Sequence, residues 1–191
     1  MSRMQRRVFL VSVVGLATAC PDRSLRDQSK QGCFSLEVLL SKEGSSEPEL
    51  LENGGTLRSG DRFALRLTVL EPLYLYVEHH AASGTAGTLH PSPPSPPLLT
   101  LPGTPLTVPA DGSLQLDDRT GRESLWVVAS RTLLSVEQAQ AVVKEASSGQ
   151  TTEREPPPTS TVRGSGGRGK VLWGGLRDSG LGVIRFRLNH V

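Results

Sequence analysis

Arg62-Phe63-Ala64-Leu65-Arg66-Leu67-Thr68-Val69 alternates without a break: Phe63, Leu65, Leu67 and Val69 fall on one side, Arg62, Ala64, Arg66 and Thr68 on the other. Successive side chains of a strand point to opposite faces, so this period of two describes a strand with one dry face and one wet face. The pattern resumes after Leu70-Glu71-Pro72 at Leu73-Tyr74-Leu75-Tyr76-Val77, and the Glu-Pro turn between them predicts an antiparallel pair. Upstream, Phe34, Leu36, Val38 and Leu40 alternate with Ser35, Glu37 and Leu39. Downstream, Ile184, Phe186 and Leu188 alternate with Arg185 and Arg187 within Gly182–Leu188.

Shorter strand candidates are Thr85–Leu89, Leu106–Val108, Ser113–Leu116, Leu125–Ala129 and Val171–Trp173, separated by Gly- and Pro-rich turns. Many short strands with such punctuation predict a mostly β fold, an antiparallel β-sandwich-like single domain over about residues 32–191. One short α-helix is expected near 135–146. Ser135 can cap it, Gln138 can return the bond, and Val136, Ala139, Val142 and Val143 form an apolar stripe for the sheet. Pro91-Ser92-Pro93-Pro94-Ser95-Pro96-Pro97 cannot join a central ladder, because proline lacks the backbone donor. Ser147 to Gly169 is rich in Ser, Thr, Pro and Gly and poor in apolar residues, which predicts a long disordered insertion.

The amino-terminal residues carry an address. Gln5-Arg6-Arg7-Val8-Phe9-Leu10 opens an uncharged run ending in Ala17-Thr18-Ala19-Cys20. About a dozen apolar residues are too few to span a bilayer, which needs roughly 20. A basic front and a small-residue exit instead predict a cleaved signal peptide over residues 1–19. Leu16-Ala17-Thr18-Ala19-Cys20 resembles the lipobox of bacterial lipoproteins, with Ala17 where Leu is usual. That likeness implies a lipid on Cys20 and a tether over 20–31. Arg6, Arg7, Phe9 and Leu10 resemble the twin-arginine export motif. Two acyl chains, at about 0.8 kcal/mol per buried CH₂, would hold such a protein on a membrane.

The signal also explains the charge. The whole chain has a formal net charge of +2, and residues 1–19 hold three arginines and no acid, so the remainder stands at −1. No basic surplus argues for nucleic acid. The chain has two cysteines; with Cys20 acylated, Cys33 lacks an intramolecular disulfide partner and is expected to pack as a small hydrophobe.

Taken in order, Ser59-Gly60-Asp61-Arg62-Phe63-Ala64-Leu65, Leu73-Tyr74-Leu75-Tyr76-Val77, Leu89-His90-Pro91 and Gly121-Arg122-Glu123-Ser124-Leu125-Trp126-Val127-Val128-Ala129-Ser130 resemble the DUF4384 family, over roughly residues 55–133. That family reads as a Gly-Asp turn, a Tyr-Leu-Tyr-Val strand, a Leu-Phe-Pro segment and a Gly-x-Glu strand ending in Ala-Ser. His90 stands where an aromatic is usual, and Pro72 where glycine is. The resemblance implies a small β-rich exported or surface domain, often encoded or fused with caspase-like peptidases or signalling kinases. It supplies no catalytic residues.

Catalytic spacing is absent: there is no Gly-x-Ser-x-Gly, His-Glu-x-x-His or Cys-x-x-Cys. Gly164-Ser165-Gly166-Gly167-Arg168-Gly169-Lys170-Val171 approaches a phosphate-binding loop but has Val171 where Ser or Thr binds magnesium, and a strand is expected after Lys170. No cofactor and no metal ligand set is assigned. Neighbouring His79 and His80 point to opposite faces of a strand, so a zinc site would require His90 or His190 to approach one of them. Gly60-Asp61 reads as a turn with Asp61 accepting a backbone bond, and Glu123 as a turn buttress or arginine partner. Tyr74, Tyr76, His79 and His80 are the candidate ligand or partner contacts.

The expected function is that of a lipoprotein of the bacterial cell envelope, facing the periplasm or the outer surface. It would contact the membrane through its lipid and an envelope protein through a non-catalytic interaction or sensing domain. The alternative is an accessory hydrolase or small-ligand-binding domain.

Overall fold

The computed structural model describes residues 32–42, 47–148, 161–163 and 170–191. The expected signal peptide and tether, with Arg6, Arg7, Phe9, Leu10 and Cys20, lie outside the described residues. The strands are β1 (Phe34–Ser41), β2 (Glu49–Leu51), β3 (Thr56–Leu57), β4 (Arg62–Val69), β5 (Leu73–His80), β6 (Ala86–His90), β7 (Leu99–Thr100), β8 (Leu106–Val108), β9 (Leu114–Gln115), β10 (Gly121–Ser130), β11 (Thr161–Arg163), β12 (Lys170–Gly174) and β13 (Leu181–His190). The helix α1 is Val136–Ser147.

Two sheets form. The first runs β11-β12-β1-β4-β8, with β2 beside the second half of β1 and β9 beside the start of β4. The second runs β3-β13-β10-β5-β6, with β7 beside the start of β5. Every pair is antiparallel except β13 with β3. The expected sandwich is present, and alternation explains its core. Phe34, Leu36 and Val38 of β1 and Leu65 and Leu67 of β4 meet Leu75 and Val77 of β5, Leu125 and Val127 of β10, and Phe186 and Leu188 of β13. All of these are fully buried, and each side chain of this size stabilises the fold by about 1.5–3 kcal/mol.

The expected pairing of β4 with β5 does not occur. β4 lies in the first sheet against β1, β8 and β9, and β5 lies in the second against β10, β6 and β7. The Leu70 amide bonds to the Cys33 carbonyl at 2.8 Å, extending the β1 edge instead of closing a hairpin. Pro72 has no donor to offer such a turn. Crossing between sheets also places the apolar rows of both strands against each other across one core.

The outer face of the second sheet carries a smaller cluster. Tyr76, Trp126 and Val128 pack under Ala139 and Val143 of α1, giving a third layer. Ser135 and Gln138 form the expected capping box, with the Gln138 amide donating to Ser135 Oγ at 3.2 Å and the Ser135 amide to Gln138 Oε1 at 2.7 Å. The expected insertion is shorter than 147–169 at two places: Ser147 ends the helix, and Thr161–Arg163 pairs with β12. Residues 149–160 and 164–169 lie outside the described residues. A strand follows Lys170, as the failed phosphate-loop pattern required. β2, β3, β7 and β11 lie outside the expected strands, each two or three residues long and too short to display a period on its own.

Candidate functional site

The inward-facing rows of the second sheet end in polar residues. His79 continues the row Leu73, Leu75, Val77 on β5, Glu123 continues Leu125 and Val127 on β10, and His190 continues Phe186 and Leu188 on β13. The register sets His79 opposite Leu125 and His190 opposite Gly121, so the two imidazoles flank Glu123. Glu123 Oε2 lies 2.6 Å from His79 Nε2, and Oε1 lies 3.2 Å from His190 Nδ1. Glu123 is therefore the partner of two histidines, not of an arginine. It is 3% exposed and His190 2%, so both have exchanged hydration for each other.

The far nitrogen of His190 meets a turn. Ser59 Oγ lies 3.0 Å from His190 Nε2. The turn is held as the sequence suggested, with the Arg58 amide donating to Asp61 Oδ2 at 2.8 Å and the Asp61 amide to the Arg58 carbonyl at 3.0 Å. Gly60 has φ +87°, in the left-handed region that glycine adopts without strain. The short parallel pair of β3 with β13 brings this turn over the histidine. A carboxylate oxygen accepts, so Nδ1 of His190 carries the hydrogen, and in the neutral imidazole Nε2 accepts from the Ser59 hydroxyl. The order hydroxyl, imidazole, carboxylate is that of a nucleophile, a base and its orienting acid. Ser59 is exposed and lines a shallow depression of about 710 Å³ with Lys42, Asp61, Arg62 and Gln115. Asp117 also approaches, its ligand atom within 4.8 Å of those of Glu123 and His190.

The opposite face of the same strands is built differently. His80 points outward, as the alternation demands, and its Nε2 lies 3.3 Å from Glu78 Oε2. Glu78 is 5% exposed, yet its Oε1 has no hydrogen-bond partner among the described residues, and neither has Trp126 Nε1. Arg185 lies over the Trp126 ring, 4.9 Å from its centroid, and donates to Ser124 Oγ at 3.1 and 3.2 Å. Burial and then the neighbouring Arg187 hold the Arg185 guanidinium below its ordinary pKa. A depression of about 550 Å³ is lined by Gly54, Arg122, Glu123, Ser124, Arg185, Arg187, Leu188 and Asn189, with the Glu123 carboxylate itself turned to the two histidines. Among the described residues, no carboxylate forms an ion pair with any of these three arginines.

The tyrosines stand elsewhere. Tyr76 is 1% exposed beneath α1, its hydroxyl accepting from the Leu134 amide and donating to the Leu134 carbonyl, both at 2.8 Å. Burial raises its pKa. Tyr76 is thus a packing residue and faces no groove. Tyr74 packs half-buried against the same cluster, opposite Leu99. His90 ends β6 away from Glu123, half-buried, and that burial lowers its pKa. Cys33 is half-buried against the core, and desolvation raises its thiol pKa. Ser59, Asp117 and His190 were not anticipated as a group, because 131 positions separate Ser59 from His190. The available signal was a titratable residue in the inward register of an apolar strand, visible at His79, Glu123 and His190 alike.

Residues 56–132 match the family DUF4384, a domain of unknown function. This segment is a DUF4384 domain. It contains β3 to β10 and contributes Ser59, His79, Asp117 and Glu123. The strands flanking the DUF4384 segment, β1, β12 and β13, complete both sheets, and β13 supplies His190, Arg185 and Arg187. No curated protein and no solved structure matches the chain.

Proposed function

We propose that the chain is an exported lipoprotein of the bacterial cell envelope, held on a membrane by lipid at Cys20, whose DUF4384 domain is a non-catalytic interaction module for an acidic partner. The observation that carries the interaction reading is the group Arg122, Arg185 and Arg187 without acidic ion-pair partners among the described residues. Clustered guanidinium groups favour carboxylate or phosphate, and Arg185 is pre-oriented by Trp126 and Ser124. No helix among the described residues is long and apolar enough to cross a membrane. The lipobox-like stretch ending at Cys20 is the support for an anchor.

A poly-glutamate peptide titrated into the purified protein tests the interaction. It binds in a salt-dependent manner, a neutral peptide of equal length does not, and Arg185→Ala with Arg187→Ala weakens binding by about 30-fold, the scale of an arginine hot spot. Equal binding by the double variant rejects the reading. Cys20→Ala with mass spectrometry of the amino terminus tests the anchor; an unacylated wild type rejects it.

One observation favours a second reading, an accessory hydrolase: the Ser59–His190–Glu123 order, with Ser59 at the surface of a depression. A fluorophosphonate probe labels Ser59 if that reading holds, and Ser59→Ala abolishes the label. An unlabelled wild type removes it.

A further inference from the structure

We propose that Asp117, Glu123 and His190 bind one divalent transition-metal ion of the zinc class, with His79 and Ser59 holding the ligands in place. The three ligand atoms lie within 4.8 Å of one another. Ligands at about 2.1 Å from a shared ion are about 3.4 Å apart in a tetrahedron. His190 Nδ1 and Glu123 Oε1 already stand at 3.2 Å, close to that edge. Asp117, the exposed member of the set, on the segment after β9, supplies the third ligand by closing in on that pair.

The chemistry of the donors selects the class. One imidazole and two carboxylates suit zinc, manganese or iron(II) better than calcium or magnesium, which take oxygen alone, or copper(I), which takes sulfur. Two carboxylates also neutralise the ion, so Glu123 is no longer a buried charge with only hydrogen-bond donors around it.

The surroundings strengthen the assignment. Ligands in metal sites are oriented by partners on their remaining atoms, and both buried ligands have such a partner. Glu123 offers Oε1 to the ion while His79 Nε2 holds Oε2 at 2.6 Å. His190 offers Nδ1 while Ser59 Oγ meets Nε2 at 3.0 Å. With Nδ1 on the ion, Nε2 of His190 is the ring nitrogen left to donate to Ser59 Oγ. Asp117 at the surface gives the ion its way in, and three protein ligands leave a fourth position open.

The test uses the exported chain purified in detergent, stripped with chelator and titrated with zinc(II) and cobalt(II). The expected result is one ion per chain by calorimetry, a cobalt visible spectrum of low-symmetry character, and a raised unfolding temperature. Asp117→Asn, on an exposed residue, leaves the metal-free unfolding temperature unchanged and weakens binding by at least about 10-fold. Ser59→Ala loses any fluorophosphonate label but still binds one cobalt(II) per chain, about 10-fold more weakly because His190 Nε2 has lost its partner, which separates the metal site from the hydrolase reading. Absence of stoichiometric binding, or wild-type affinity in Asp117→Asn, overturns the proposal.

Discussion

Glu78 and Glu123 sit on adjoining strands, both buried and both beside histidines, yet on opposite faces of one sheet they meet opposite fates. Inside, both oxygens of Glu123 are taken, by His79 and His190, and the second histidine is itself held by Ser59. Outside, Glu78 has a long contact to His80, one oxygen without a hydrogen-bond partner among the described residues, and close by a Trp126 Nε1 equally without one. A fully paired buried network rigidifies its surroundings, and a half-paired one costs free energy that the rest of the fold must offset. The difference teaches where the molecule is closed on itself and where it still has bonds to give. The open face is also the one carrying three arginines without acidic ion-pair partners among the described residues.

The comparison breaks first at its closed end. Glu123→Ala leaves two buried-side histidines without their acceptor and lowers stability by about 3–5 kcal/mol, read from urea denaturation midpoints. A loss below about 1 kcal/mol would mean that the inner network holds nothing together. Tyr76→Phe strands the Leu134 amide and carbonyl at the margin of the outer cluster and lowers stability by about 1–3 kcal/mol in the same assay. Ser135→Ala removes the helix cap above that cluster, costing about 1 kcal/mol, and hydrogen exchange should quicken first in α1. Glu78→Gln sharpens the contrast by doing little: with half its bonding already unmet, the change stays within about 1 kcal/mol in thermal unfolding.

The smallest effect is one of pH. Burial holds His90 below its ordinary value near 6.5, so the unfolded chain takes up a proton first as the medium is acidified. Its stabilising contribution is complete above about pH 6.5 and declines as pH falls toward the lower folded value. His90→Gln should flatten the fall of unfolding temperature across that window, and an unchanged profile would exclude the histidine as its cause.

Much of this fold was legible because alternation is a local property. The rows Phe63-Leu65-Leu67-Val69 and Ile184-Phe186-Leu188 predicted strands and named their buried sides correctly. Ser135 with Gln138 located a helix by bonding geometry that spans three residues. Sheet membership was not legible, because a turn sequence such as Leu70-Glu71-Pro72 serves a hairpin or a crossing, and a distant acceptor on Cys33 decides between them. The site was half legible. His79 and His80 were correctly divided between two faces, but Ser59, Glu123 and His190 converge only once β3 and β13 lie side by side. No spacing along the chain encodes that meeting.

β13 has a consequence for the timing of synthesis. It is made after every other described strand, yet it lies between β3 and β10 and brings the histidine that both inner readings require. A nascent chain in which β13 is still unmade has β3 parted from the rest of the second sheet, and β10 paired with β5 alone. The second sheet therefore closes late, once β13 is made. Chains truncated after residue 180 should be digested rapidly by a protease that spares the whole domain, and resistance in the truncated chain would show that the earlier strands close without the last.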